Sequence, residues 1–215
     1  MFITLEGIEG AGKTTQLQNI IAYLGPRGYE CVTTREPGGT AIGAQIRAIL
    51  LDPGNHALDA TAELLLYVAD RVQHVRTVIQ PHLAAGRVVL CDRFFDATLV
   101  YQGYARGVDQ GLIRELHRLV CDDLRPDVTL LFDLDPAVGL ARAWRQVHSG
   151  GRTDAETRFE QEKLAFHQRV RAGYLDMARL EPRRYWVIDA GEDARTVART
   201  VETILASLLP ATADP

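Results

Sequence analysis

The hydrophobic positions of this chain follow two alternating periods. Short apolar or β-branched runs at 2–5, 31–34, 87–91, 128–132 and 185–188 read as strands. Between them apolar residues recur at steps of three and four, the spacing of one helix face. Leu17, Ile20, Ile21 and Leu24 mark the first such stretch, and Ile42, Ile46, Ile49 and Leu50 the second. The longest covers residues 60–85, with a stripe of Leu64, Val68, Val72, Val75, Ile79 and Leu83, and Pro81 as a kink or stop. Helices are expected again at 109–123 and 137–147. Two more follow, one over Phe159, Phe166, Val170, Tyr174 and Met177, the other over Val197, Val201, Ile204 and Leu208. Strands alternating with helices predict an α/β fold, a five-stranded parallel sheet with helices on both faces and right-handed crossovers.

The sharpest break in period is Ser-Gly-Gly-Arg-Thr-Asp at 149–154. Charge and paired glycines suit a mobile lid, placed at about 145–158 and ringed by Arg142, Arg145, Arg152 and Arg158. Residues 1–209 are expected to form one domain, with 210–215 a frayed tail.

The first loop carries the strongest chemical signal. Residues 7–14 read GIEGAGKT, a P-loop set between a strand and a helix. Gly7, Gly10 and Gly12 let backbone N–H groups of a loop that includes Ile8, Glu9, Ala11 and Thr15 turn toward an anion. The helix N-terminus adds partial positive charge. Lys13 can reach terminal phosphates, and Thr14 can place its hydroxyl on Mg²⁺. At the end of the third strand, Asp92 and Arg93 sit where ligands bind open α/β sheets. Asp92 could hold Mg²⁺ through water and Arg93 a phosphate; a strand-terminal salt bridge is the alternative. Tyr67 and Arg71 lie one turn apart. They could stack on a flat base and hydrogen-bond its edge, or form a rim tyrosine beside a solvated arginine. Arg47 lies off the apolar face of its helix, where a solvated surface charge is the plain alternative to a functional role.

Composition narrows the partners. The chain has 215 residues, 47% of them hydrophobic, enough to bury a core. A net charge of −4 favours neither a nucleic acid polymer nor a membrane as partner. Cys31, Cys91 and Cys121, an odd count without CxxC spacing, are expected to be reduced thiols in a cytoplasmic protein. No apolar run reaches the roughly 18 residues of a membrane helix, and no secretory leader is expected before the first strand. A GTP-driven switch would carry an Asn-Lys-x-Asp motif, but Asn19 and Asn55 are followed by Ile and His. An ATP-driven assembly module would hydrolyse ATP without a nucleotide acceptor.

Together GIEGAGKT, TREPGGT at 34–40, LLLYVADRVQ at 64–73, DRFFDATLVYQG at 92–103 and RFEQE at 158–162 make the chain similar to the bacterial thymidylate kinases. The match runs from Phe2 to about Gly191. The resemblance implies transfer of the γ-phosphoryl group of ATP to dTMP with Mg²⁺, in a cytoplasmic homodimer. It places Glu9 near the sugar 3′-hydroxyl and Glu36 on the acceptor side. Arg47 and Arg93 would then hold the acceptor phosphate, and Tyr67, more often Phe in the family, would stack on thymine. It further implies Arg71 on the O4 edge, Thr98 and Gln102 reading the rest of the base, and Tyr101 crowding the 2′ position. Gly10 stands where some members carry a basic residue, so the transfer arginine would come from the lid, Arg158 first and Arg152 next. The family's Asp-Arg-(Phe or Ile)-Glu is replaced here by Thr157-Arg158-Phe159-Glu160. Another nucleoside monophosphate kinase or a deoxynucleoside kinase is the nearest alternative.

Overall fold

The computed structural model describes residues 1–150 and 153–209. The lid candidate Arg152 and the tail 210–215 lie outside the described residues. The strands are β1 (Phe2–Glu6), β2 (Cys31–Arg35), β3 (Val88–Asp92), β4 (Val128–Asp133) and β5 (Tyr185–Asp189). All pair in parallel, in the order β2-β3-β1-β4-β5. Every residue of β1 is buried, as are all but the last of β3 and β4. Successive strand side chains point to opposite faces, so both faces of these central strands are covered. That is why they read as unbroken apolar runs. Edge strands β2 and β5 keep exposed positions.

The helices are α1 (Lys13–Leu24), α2 (Ala41–Leu51), α3 (Ala60–His74), α4 (Gln80–Ala84), α5 (Phe95–Thr98), α6 (Gln110–Cys121), α7 (Pro136–His148), α8 (Leu164–Leu180) and α9 (Ala194–Leu208). Side-chain caps set several starts. Thr40 accepts from the Gly43 N–H, and Asp59, Asp109, Asp135 and Asp193 do the same for α3, α6, α7 and α9. With β1 in mid-sheet, the P-loop at its C-terminal end lies beside the ends of β3 and β4. The loop approaches α7 through bare backbone: a Cβ at Gly10 (φ 71°) would lie 2.1 Å from the Gly139 carbonyl oxygen. One at Gly139 would lie 2.5 Å from that of Glu9.

Four expectations change. On α2, Ile42 and Ile49 are 53% and 46% exposed, while Gly43, Leu50 and Leu51 are buried against the α3 side. Of the expected stripe, Leu50 and the partly buried Ile46 reach the core, whereas Ile42 and Ile49 do not. Phe159 belongs to the turn before α8 rather than to the helix. The 60–85 helix is interrupted by a π-turn at Val75–Ile79, which accommodates Pro81 one residue into α4. Residues 99–105, for which the apolar spacing predicts no helix, continue α5 as a π-helix.

Glu6 ties three elements together. It is fully buried at the end of β1. One carboxyl oxygen accepts from the Phe94 N–H at 2.8 Å and the other from the Tyr174 hydroxyl at 2.7 Å. Burial first and the Asp96 charge second push this carboxyl up to about 7, against the pull of Arg93 and the two hydrogen bonds. A carboxyl raised in the folded state holds a proton that the unfolded chain releases. Stability therefore falls as pH climbs from about 4.5 to about 7. Burial raises Asp70 to about 6 with the same sign. Glu6→Gln is expected to flatten, not abolish, that decline in urea-midpoint measurements across this window. A variant that declines as steeply as the parent contradicts the assignment.

Candidate active site

The P-loop turns tightly. Gly12 adopts φ 86° as the residue capping α1, and Lys13 opens the helix. The Lys13 ammonium folds back over the loop and donates to the Gly7 carbonyl at 3.0 Å and the Ile8 carbonyl at 2.9 Å. Burial, then the Arg93 charge, lowers its pKa to about 8, while Asp92, Glu9 and Glu6 pull the other way. Thr14 and Thr15 remain exposed in the first turn.

Arg93 follows β3 in a left-handed conformation, φ 68°, fixed by its N–H to the Leu5 carbonyl. Its guanidinium donates to Glu9 Oε1 at 3.0 Å and to the Tyr174 hydroxyl at 3.3 Å, and lies 4.8 Å from the Tyr101 ring centre. The Tyr101 hydroxyl also donates to Glu9 Oε1, at 2.6 Å, and His167 Nδ1 stands 3.2 Å from Glu9 Oε2. Burial opposes ionisation of Glu9, but Arg93, His167 and Tyr101 outweigh it and hold the carboxyl well below the usual range. Asp92 Oδ1 is buried with no hydrogen-bond partner among the described residues.

The α3 face that carries Arg71 is also inside. Arg71 is 2% exposed, far from the solvated alternative. It donates from Nε to Glu36 at 2.8 Å and from Nη2 to the Thr98 hydroxyl at 2.6 Å. Gln102 donates to buried Glu63 at 2.7 Å. Tyr67 is half-buried, and burial followed by the Glu63 charge pushes its phenol well above the ordinary range. Arg47 grips both Glu156 oxygens, at 3.0 and 2.8 Å, and the Pro37 carbonyl.

One cavity of about 570 Å³ unites these groups. P-loop residues 9–15, Glu36, Arg47, Asp92 and Arg93 line it together with Tyr67, Arg71, Thr98, Tyr101 and Gln102. Its size suits small molecules, which occupy pockets of about 300–1,000 Å³. Gly7 and Ile8 lie beneath it as acceptors for Lys13. Arg158 is the exception. Its guanidinium stands 2.7 Å from Glu63 and donates to the Leu50 carbonyl, and it borders a separate cavity of about 380 Å³. Buried Glu63 attracts it away from the P-loop, a partner that no local pattern announced. The same holds for Glu156, His167 and Tyr174, which reach the site from distant segments.

The family description "Thymidylate kinase" matches residues 5–201. The chain is 58% identical to a thymidylate kinase of Desulfosudis oleivorans over 198 residues, 92% of each chain. It is 52% identical to one from Geobacter sulfurreducens over 209 residues, covering 97% of this chain and 98% of that one. The crystal structure of thymidylate kinase from Ehrlichia chaffeensis superposes with a TM-score of 0.75 at 36% identity, covering 95% of this chain and 98% of that one. A five-stranded parallel sheet, a P-loop and a cavity that joins it to α3 thus accompany near-complete matches, and the chain belongs to the thymidylate kinase family of nucleoside monophosphate kinases.

Proposed function

We propose that this enzyme transfers the γ-phosphoryl group of ATP directly to dTMP, with Mg²⁺ bound alongside. The observation that carries the proposal is the single cavity shared by the phosphate loop and the Tyr67–Arg71 pocket. Both substrates are anions, so fixed cations must offset their repulsion. Lys13 would meet the terminal phosphates of ATP, and Arg93, braced by Glu9 and Tyr174, the acceptor phosphate. Arg47 is the second acceptor-side cation. An ionised phosphate is already nucleophilic, so no side chain need act as general base. Tyr67 offers a flat face, Arg71 a donor edge, and Thr98 and Gln102 further polar contacts; Tyr101 and Glu9 lie on the sugar side.

Among the described residues no group of three or more His, Cys, Asp or Glu could hold a metal unaided. The partnerless oxygen of Asp92 and the exposed Thr14 hydroxyl, both in the cavity, suit an ion that takes its remaining ligands from water and phosphate. Bound there, Mg²⁺ would neutralise charge on the phosphate oxygens. The segment about 145–158 is proposed as a lid that excludes water, with Arg158 and then Arg152 as its candidate transfer arginines. No described helix is long and apolar enough to cross a membrane, and a cytoplasmic location is proposed. Exposed Ile42 and Ile49 of α2 and Leu65 of the adjoining α3 support a homodimer.

The direct test is ADP release with ATP, Mg²⁺ and a panel of dTMP, dUMP, UMP, CMP, AMP and thymidine. Turnover is expected to be fastest with dTMP, and a faster rate with AMP or thymidine contradicts the proposal. Lys13→Ala should reduce that turnover at least about a hundredfold, the scale of one lost electrostatic group. Near-normal turnover would remove Lys13 from phosphate binding. Arg158→Ala should leave Glu63 short of a partner and cost roughly 1–3 kcal/mol of stability in denaturant titration. A fall in kcat with stability unchanged would return Arg158 to the transfer step.

A further inference from the structure

The inner face of α3 carries a histidine that nothing in the proposed chemistry uses. His74 is fully buried. Its Nδ1 lies 2.9 Å from Glu36 Oε1 and its Nε2 2.6 Å from the Thr34 hydroxyl at the end of β2. One neutral tautomer satisfies both partners: Nδ1–H donates to the carboxylate, and Nε2 accepts the threonine hydrogen. The other Glu36 oxygen accepts from Arg71 Nε. Arg71 Nη2 donates to Thr98, and Nη1 has no protein partner among the described residues although Arg71 lines the cavity. A chain of hydrogen bonds thus runs Thr34–His74–Glu36–Arg71–Thr98, from the sheet edge to the pocket.

The glycines of TREPGGT make room for this chain. A Cβ at Gly39 would lie 2.5 Å from His74 Nε2 and 2.7 Å from the Thr34 hydroxyl oxygen. At Gly43, just inside α2, a Cβ would come within 2.2 Å of Asp70 Oδ1, the atom that accepts from the Gly38 N–H. The loop therefore packs against the α3 face through bare backbone. Glu36 has two oxygens and two positioned donors. Without His74, one oxygen loses its donor, and the carboxylate can rotate and carry Arg71 with it.

We infer that His74 is a positioning residue which, by locking Glu36, holds Arg71 with one guanidinium nitrogen offered to the acceptor base, and so sets its preference for a 4-carbonyl over a 4-amino pyrimidine. Arginine is only a donor, so a fixed Nη1 pairs with a carbonyl and faces a 4-amino group without an acceptor. The inference rests on the proposal that the Arg71 end of the cavity receives the base. His74 itself touches no substrate.

The test compares wild type, His74→Leu and His74→Asn, whose amide can stand in for Nδ1–H. For each, kcat and KM are measured with dTMP, dCMP and ATP, together with the thermal midpoint. His74→Leu is expected to raise KM for dTMP on the order of tenfold. It should leave KM for ATP within about twofold and narrow the dTMP-to-dCMP ratio of kcat/KM, while His74→Asn restores most of the loss. An unchanged dTMP KM in His74→Leu overturns the inference. So does an equal loss toward dTMP and ATP with no recovery in His74→Asn, the signature of a merely structural role. If His74→Leu does not fold, Glu36→Gln carries the test: a raised dTMP KM with an unchanged ATP KM supports the inference, and an unaltered dTMP KM overturns it. A wild-type enzyme inactive on dTMP would overturn the functional proposal together with this inference. Wild-type activity with indifferent variants overturns this inference alone.

Discussion

Arg93 and Glu9 form a nearly buried ion pair at 3.0 Å, and the two parts of the cavity meet on it. Glu9 belongs to the phosphate loop, Arg93 to the end of β3. Tyr101 from the π-helix after α5, and His167 and Tyr174 from α8, complete the cluster. A buried charge without its partner costs several kcal/mol, so each member holds the others in place. The left-handed backbone at Arg93, a strain of roughly 1–3 kcal/mol for a residue other than glycine, persists because its N–H and that of Phe94 are both bonded to β1.

This cluster makes the site electrostatically tense before any ligand is considered. Lys13 and Glu6 are each pushed toward neutrality, mainly by burial. Glu9 is driven the other way by the charge of Arg93. An anion held in the P-loop would relieve Lys13 by favouring its charged form. Binding a polyphosphate and completing the charge balance are then one event. Sites that do work often hold such shifted groups, at some cost to stability.

The sheet was legible because its central strands are buried on both faces, which leaves runs such as Val128–Asp133 little room for polar residues. The P-loop was legible because backbone geometry demands glycine at named positions. Elsewhere periodicity was ambiguous. On α2 the stripe of Ile42, Ile46, Ile49 and Leu50 has helical spacing, and only packing against α3 decides which of its members reach the core. Charge ordinarily lies outside, which leaves a solvated reading open for Arg71, and no pattern singles out His74. Their burial depends on Glu36, 35 and 38 residues away in sequence, which no local rule links to α3. The resemblance names Arg158 as the first lid arginine, but no local pattern announces its pairing with Glu63 of α3 or its place beside a second cavity.

Whether one cavity seats both nucleotides can be asked with a single molecule, adenosine and thymidine joined 5′ to 5′ by a polyphosphate bridge. Inhibition kinetics against each substrate in turn is the measurement. A shared cavity predicts competition with both ATP and dTMP, and binding tighter than either nucleotide alone because the two halves are tethered. Competition with only one of them would place the other nucleotide outside the cavity that joins the P-loop to Arg71, and would contradict the proposed transfer.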